Sequence, residues 1–438
     1  MVLTPHKNEL ISTDIERVLK EIDCDELVAL SVEMGNIYSP SGYDEAIASY
    51  VFNWLDREGF QPRRVALLPS RPNIVATLKG KGGGTSLIFN GHIDTAIAND
   101  ETAGYLMPMP EVIHKAWVEG DFIRGHAIIN DRGPLAAAMI AAKAIKKSGL
   151  SLKGDLILAG VAGETTREPV DEFESPDYLG KEVGTRYTIV RGVLADFALV
   201  CEATAFTPVW VEAGEVYFKV RIQTPVEPLY TPYIPRFSSV TSHPNAIVRA
   251  AALIEALAKW ANRYEDAYRY ECPGGVVIPK VNIGAIRGGV PYRITRTLQF
   301  CDLHLDVRMP PKADPLAIRS EIEQVMKGCG LEGTVEITTY RPGYEGKGVE
   351  PLVEAVTASH RLVLGVDPKP VIPSFSSMWR DISLYNEVGI PAATYGPALG
   401  AGGGNAALRV DDLLNASGIY ALTALDLCNR AKPSNLRT

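Results

Sequence analysis

The sequence is short of the features that mark several large classes of protein. Its six cysteines, at 24, 201, 272, 301, 329 and 428, share no paired spacing. That scatter argues against a disulfide scaffold and for reduced thiols in a cytoplasmic protein. No apolar run approaches the ~20 residues of a membrane span, so no membrane partner is expected. Basic residues number 44 against 52 acidic ones, for a net charge of −8, and no Lys/Arg stripe stands ready to neutralise phosphates. Nucleic acid is therefore not an expected partner. The opening MVLTPHKNELISTDIERVLKEIDCDEL has neither the basic start nor the apolar run of a secretory signal.

What remains is a chain of 438 residues, 46% hydrophobic, long enough for two domains with buried cores. YDEAIASYVFNWLDRE (43–58) puts Ile47, Tyr50, Val51, Trp54 and Leu55 on one helical face. RPNIVATLKG reads as a strand, and TSLIFNGHIDT as a buried strand that ends at His92. GPLAAAMIAAKAIKKSG (133–149) has helical spacing, a proline in its first turn and a glycine at its close. DLILAGVAGE and ADFALVCEA supply two more buried strands. Strands alternating with helices predict an α/β fold with a mainly parallel sheet.

The texture changes near residue 214, where GEVYFKVRIQT alternates like a half-exposed strand. Helices from Asn245 to about Trp260 and from Asp314 to about Lys327, with VIPKVNIGAIRGG, RTLQFCDLHLDVRMP and GTVEITTYRP as strands, predict an inserted α+β sandwich. Helix and strand alternation returns from Val349 and closes on DDLLNASGIYALTALDLC. The expected organisation is a discontinuous domain of residues 1–212 and 346–438 around an inserted domain of residues 213–345.

Ligands of an open α/β sheet bind beyond the carboxyl ends of its strands. Three strands here end on polar groups: His92 with Asp94, Glu164, and Glu202, which follows Cys201. GHAIINDRG adds Asn130 and Asp131 just before a helix. One imidazole and two or three oxygen donors from separate strand ends suit a divalent metal, with Asp94 bonding the far ring nitrogen of His92. Taken singly, each reads more readily as an ordinary surface residue at a strand end.

Taken together, these segments resemble a known family. SPSGYDEAIASYVFNWLDREGF, FNGHIDT, GHAIINDRGPLAAAMIAAKA, ILAGVAGETT, ADFALVCEAT, NAIVRAAALIEAL, VNIGAIRGG, LHLDVRMPP and GIPAATYGP fall in the order of the zinc aminoacylase, carboxypeptidase G and succinyl-diaminopimelate desuccinylase metallohydrolases. The resemblance implies a discontinuous metal-binding catalytic domain, with the insert as a lid that forms a homodimer or higher homo-oligomer. It also implies two metal ions, held by Gly-His-x-Asp, a bridging Asp, a Glu-Glu pair, a single acid and a late His. His92 and Asp94 match the first element, Glu164 the first of the Glu pair and Glu202 the single acid. The second Glu falls on Thr165, the bridging Asp on Asn130 with Asp131 one residue late, and the late His on Leu408 or a glycine of GAGGG.

These departures imply one metal per chain, Mn, Zn, Fe or Co, bound by His92, Asn130 (or Asp131) and Glu202. Glu164 takes the role of general base and then general acid, with Asp94 as its catalytic partner. The lid histidine that steadies the oxyanion has no counterpart in TPVEPLYTPYIPRF; His243 lies nearby, but capping at Asn245 explains its surroundings as well. The Asp-x-Arg that many members use for a substrate carboxylate reads Asp381-Ile382-Ser383, which leaves Arg287, Arg308 and Arg380 as carboxylate-clamp candidates. The expected activity is hydrolysis of a C–N bond in a small carboxylate-bearing molecule. Its most specific form is an aromatic aminohydrolase of the 5-nitroanthranilate type, releasing ammonia. N-acyl amino acid deacylation, dipeptide cleavage and a non-catalytic ligand-binding role are the alternatives.

Overall fold

The computed structural model describes residues 12–96, 114–165, 167–397 and 406–432. The chain divides into two compact units. The first comprises Met1–Trp210, Gly346–Val371 and Arg380–Thr438, and the second Val211–Glu345 with Ile372–Trp379. The eight residues Ile372–Trp379 lie in the second unit, although the sequence assigns them to the first. Hydrogen bonds account for the difference. Ser376 Oγ donates to Val276 O at 2.5 Å, Ile278 N donates to Ser377 Oγ at 2.8 Å and Trp379 Nε1 donates to Pro342 O at 3.3 Å.

The first unit is built on a six-stranded sheet in the order Arg63–Val65, Asn73–Leu78, Leu156–Val161, Leu87–His92, Phe197–Val200, Ala392–Thr394. The last four run parallel, and Asn73–Leu78 alone runs against them, paired antiparallel with Leu156–Val161 on one side and Arg63–Val65 on the other. Both faces are covered, which is why these strands read as unbroken apolar runs. Leu87, Phe89, Leu156, Leu158, Phe197 and Leu199 face a core shared with the helices Gly133–Lys147 and Val410–Leu427. Ile88, Ile157, Ala198 and Val200 face the other way, toward Ile382, Tyr385 and Ala392. Alternate residues of each strand thus feed two separate cores.

The second unit is a four-stranded antiparallel sheet in the order Val281–Arg287, Phe300–Met309, Gly214–Gln223, Glu332–Arg341. Val216, Phe218, Val220 and Ile222 are buried in alternation, as the sequence predicts, under the helices Ala246–Ala267 and Pro315–Gly328. Asn245 caps the first of these helices, its side chain accepting from Ile247 N at 3.1 Å. That helix runs about two turns past the predicted end, because Trp260 and Tyr264 continue its buried stripe. No helix among the described residues is long and apolar enough to cross a membrane.

Candidate metal centre

Three adjacent parallel strands, Leu156–Val161, Leu87–His92 and Phe197–Val200, end side by side. The central one terminates on His92, with Glu164 just beyond one neighbour and Glu202 just beyond the other. Strand order alone therefore converges these three side chains. Gly163 makes the turn before Glu164 possible. It has φ of +71°, and a Cβ there would stand 2.6 Å from the carbonyl of Gly180.

The fourth contributor comes from the kinked turn Ile128–Arg132 that precedes the helix Gly133–Lys147. Asp131 Oδ2 lies 3.2 Å from His92 Nε2, and both side chains are buried. His92, Asp131 and Glu202 each bring one ligand atom within 4.8 Å of the others, the group of this kind found among the described residues. Sequence spacing points to Asn130 with Asp131 as the alternative; the carboxylate that stands in this group is that of Asp131. Asn130 is half-buried, with no contact to the group described.

Each member has one polar atom engaged and one left over. His92 Nδ1 is 3.0 Å from the backbone carbonyl of Asp94, and Nε2 is buried without a hydrogen-bond partner. Arg380 Nε lies 2.9 Å from Glu202 Oε2, while Oε1 is buried and unpartnered. Ala203 N donates to Asp131 Oδ1 at 3.4 Å, which leaves Oδ2 turned to His92. Buried polar atoms are rarely left unsatisfied. An orphaned imidazole nitrogen and an orphaned carboxylate oxygen beside a second carboxylate are what a divalent transition ion would fill, so the residues fit such an ion.

Glu164 Oε2 is 3.9 Å from His92 Nε2, and its other oxygen is 2.5 Å from Lys181 Nζ. Burial raises the Glu164 carboxyl, but the Lys181 and His92 charges outweigh it and leave the group below the usual range. For His92, burial lowers the imidazole, and the adjacent Asp131 carboxylate with the charges of Glu164 and Asp94 raises it well above the ordinary value. Burial and then the charges of Asp131 and Glu164 push Glu202 well up, against Arg380. The cluster is a concentration of carboxylates that favours a cation in its midst.

Asp94 contributes differently from the sequence expectation. Its backbone carbonyl meets His92 Nδ1, with Oδ1 further off at 3.6 Å. Its carboxylate instead accepts from Glu164 N at 3.1 Å, Thr165 N at 2.8 Å and Thr165 Oγ1 at 2.6 Å. Asp94 thus holds the loop that carries Glu164, and Thr165 is part of that brace. Arg308 and Arg287 belong to the second unit, where Arg308 is bonded to Asp306 at 2.9 Å and Glu215 at 2.8 Å. Leu408 is buried in a strand, Ala407–Arg409, and GAGGG lies outside the described residues. His243 Nδ1 accepts from Asn245 N at 3.1 Å, steadying that cap. Burial pushes the Cys201 thiol well up, leaving it unreactive.

Lys181, Arg132, His114 and His126 are additions that the sequence does not single out. Arg132 is fully buried, and its guanidinium donates to Ile93 O at 3.1 Å and Ile37 O at 2.8 Å, pinning the chain just after His92. His126 Nδ1 and His114 Nε2 are buried without partners, and the charge of Asp131 reaches His126. Lys181 and Arg132 act on partners distant in the chain, so no local spacing announces them.

Asp381 makes stability depend on pH. Thr185 Oγ1 donates to its Oδ2 at 2.6 Å, and burial, then the charge of Glu164, raises its carboxyl to about 6. An acid raised in the folded state binds its proton more tightly there than in the unfolded chain. The stability it contributes is complete below the unfolded value near 4 and lost as pH rises through about 6. The gap between those two values sets an upper scale of roughly 3 kcal/mol. Asp381→Asn is therefore expected to flatten the stability profile between these pH values and raise stability above them, measured by urea unfolding at a series of pH values.

An α/β sheet whose strand ends gather one imidazole and several carboxylates suits a metal-dependent hydrolase. The sequence model of Peptidase family M20/M25/M40 matches residues 88–426, and the chain belongs to that family. N-formyl-4-amino-5-aminomethyl-2-methylpyrimidine deformylase of Bacillus subtilis (strain 168) is 24% identical over 418 residues, covering 90% of this chain and 92% of that protein. The enzyme of that name from Halalkalibacterium halodurans is 31% identical over 219 residues, 48% of this chain and 47% of its own length. A solved dinuclear metal-binding peptidase of the M20 family from Bacillus subtilis shares the fold, with a TM-score of 0.60 at 15% identity over 92% of this chain and 97% of that one. The protein is a metal-dependent hydrolase of amide or peptide-like C–N bonds.

Proposed function

We propose that the protein hydrolyses the amide of a small carboxylate-bearing molecule, with one divalent ion on His92, Asp131 and Glu202 and with Glu164 as general base. The observation that carries this reading is the position of Glu164. One oxygen is held by Lys181 at 2.5 Å, and the other is 3.9 Å from the imidazole of the donor group. An ion bound there would supply Lewis acidity, polarising the scissile group and making water more acidic. Glu164, kept anionic by Lys181, takes the proton of the attacking water and returns it to the leaving nitrogen. The loop brace of Asp94 on the Glu164 and Thr165 amides holds that carboxylate in place through the exchange.

Release of ammonia from an aromatic amine of the 5-nitroanthranilate type is the second reading. Thr165 favours it. Its hydroxyl is committed to Asp94 at 2.6 Å in the place where the family's second-ion ligand is expected, and a ring bearing electron-withdrawing groups spreads charge without a second ion. Assays with added Mn²⁺ or Zn²⁺ separate the two. Carboxylate release from N-acyl amino acids and formate release from N-formyl amines are expected under the first reading, and ammonia release from aminobenzoates under the second. No turnover of either set would sink both.

A further inference from the structure

Two cations pair directly with carboxylates of the candidate centre and are as deeply buried as their partners. Lys181 Nζ is 2.5 Å from Glu164 Oε1, with side-chain exposures of 5% and 11%. It also donates to the backbone carbonyl of Glu164. Arg380 Nε is 2.9 Å from Glu202 Oε2, with exposures of 5% and 6%. The two pairs lie on opposite sides of the strand that ends at His92, because Glu164 and Glu202 follow its two neighbours in the sheet.

Four carboxylates surround His92. Asp131 approaches to 3.2 Å, Asp94 to 3.6 Å and Glu164 to 3.9 Å, and Glu202 completes the donor group. Buried charge that is not balanced locally is strongly disfavoured. One divalent ion neutralises half of these four charges and leaves the other half to be met, while the nearby buried Arg132 and Asp381 add one charge of each sign. Lys181 and Arg380 meet it, each bonded to one of the carboxylates concerned. They also occupy one oxygen of Glu164 and one of Glu202, atoms that a further cation would otherwise find open.

We propose that Lys181 and Arg380 take the place of a second divalent ion and so close the centre at one. This rests on the one-ion reading given above. A second ion added beside both cations would leave the site with an excess of buried positive charge, and it would find no free carboxylate oxygen on Glu164 toward Lys181 or on Glu202 toward Arg380. The same count explains how Thr165 is tolerated: its hydroxyl serves Asp94, at 2.6 Å, and no ion awaits it.

The test is the number of Mn²⁺ ions bound per chain, read by equilibrium dialysis with elemental analysis and by electron paramagnetic resonance. Wild type and the charge-preserving Lys181→Arg and Arg380→Lys variants are expected to hold one ion. The doubly neutralised variant Lys181→Met with Arg380→Met is expected to hold two, with an exchange-coupled spectrum. Wild type holding two ions would fail the one-ion reading itself. Wild type and the doubly neutralised variant both holding one would overturn only the role given to the two cations. Should the double variant not fold, the single variants decide. Removing either positive charge is expected to tighten the first ion by at least about tenfold in calorimetric titration, since an attractive carboxylate is unmasked. Unchanged or weaker binding of that ion would show that the two residues merely orient their partners and would overturn the proposal.

Discussion

Glu164→Gln is expected to lower turnover by about 10²- to 10⁴-fold, the range that positioned proton transfer contributes. Gln is nearly the same size and still offers an oxygen to Lys181, which also keeps its bond to the backbone carbonyl of residue 164. The ammonium is therefore not stranded, and the loop remains braced by Asp94 through backbone amides that the substitution does not touch. Glu164 is not one of the three converging donors, so KM is expected to stay near wild type and metal affinity to fall far less than on loss of a donor, through the lost charge alone. Loss confined to kcat is the signature of a group that acts in the transition state. Parallel loss of metal would instead make Glu164 a ligand, and full turnover would remove it from the chemistry.

The second large effect separates two neighbours in the chain. Asp131→Ala is expected to weaken metal binding by more than the roughly 10- to 100-fold lost with a residue that only hydrogen-bonds to a ligand, and activity is lost with it. Asn130→Ala is expected to leave metal affinity within a few-fold of wild type. Asp131 Oδ2 faces His92 Nε2 at 3.2 Å, whereas Asn130 has no described contact with the donors. Calorimetric titration with Mn²⁺ or Zn²⁺ reads both variants. The reverse ranking would return the ligand to Asn130.

The offset between Asn130 and Asp131 also shows where sequence reasoning stops. His92, Glu164 and Glu202 were legible because each follows an apolar strand, and the order of parallel strands puts such ends together. The turn Ile128–Arg132 has no such rule. Asn130 at φ −138°, ψ 78° and Asp131 at φ −137°, ψ 31° leave helical geometry altogether, so equal spacing from flanking glycines does not tell which side chain points inward. Lys181 and Arg132 were invisible for a different reason. A buried lysine and a surface lysine look alike in one sequence, and only the folded chain brings Lys181 to Glu164 or Arg132 to Ile93. Arg380 reads in the sequence as a clamp for substrate, and the folded chain pairs it with Glu202 at 2.9 Å.

The interruption of the first unit sets an order of assembly on the ribosome. All three converging donors are synthesised before residue 211, then the whole body of the second unit, and only afterwards the strand Ala392–Thr394 that completes the sheet beside Phe197–Val200. Arg380 arrives in that last portion as well. Domains tend to fold as units while the chain emerges. Glu202 therefore waits through the synthesis of an entire second unit without its guanidinium partner, and the nascent centre passes through a more anionic stage than the finished one.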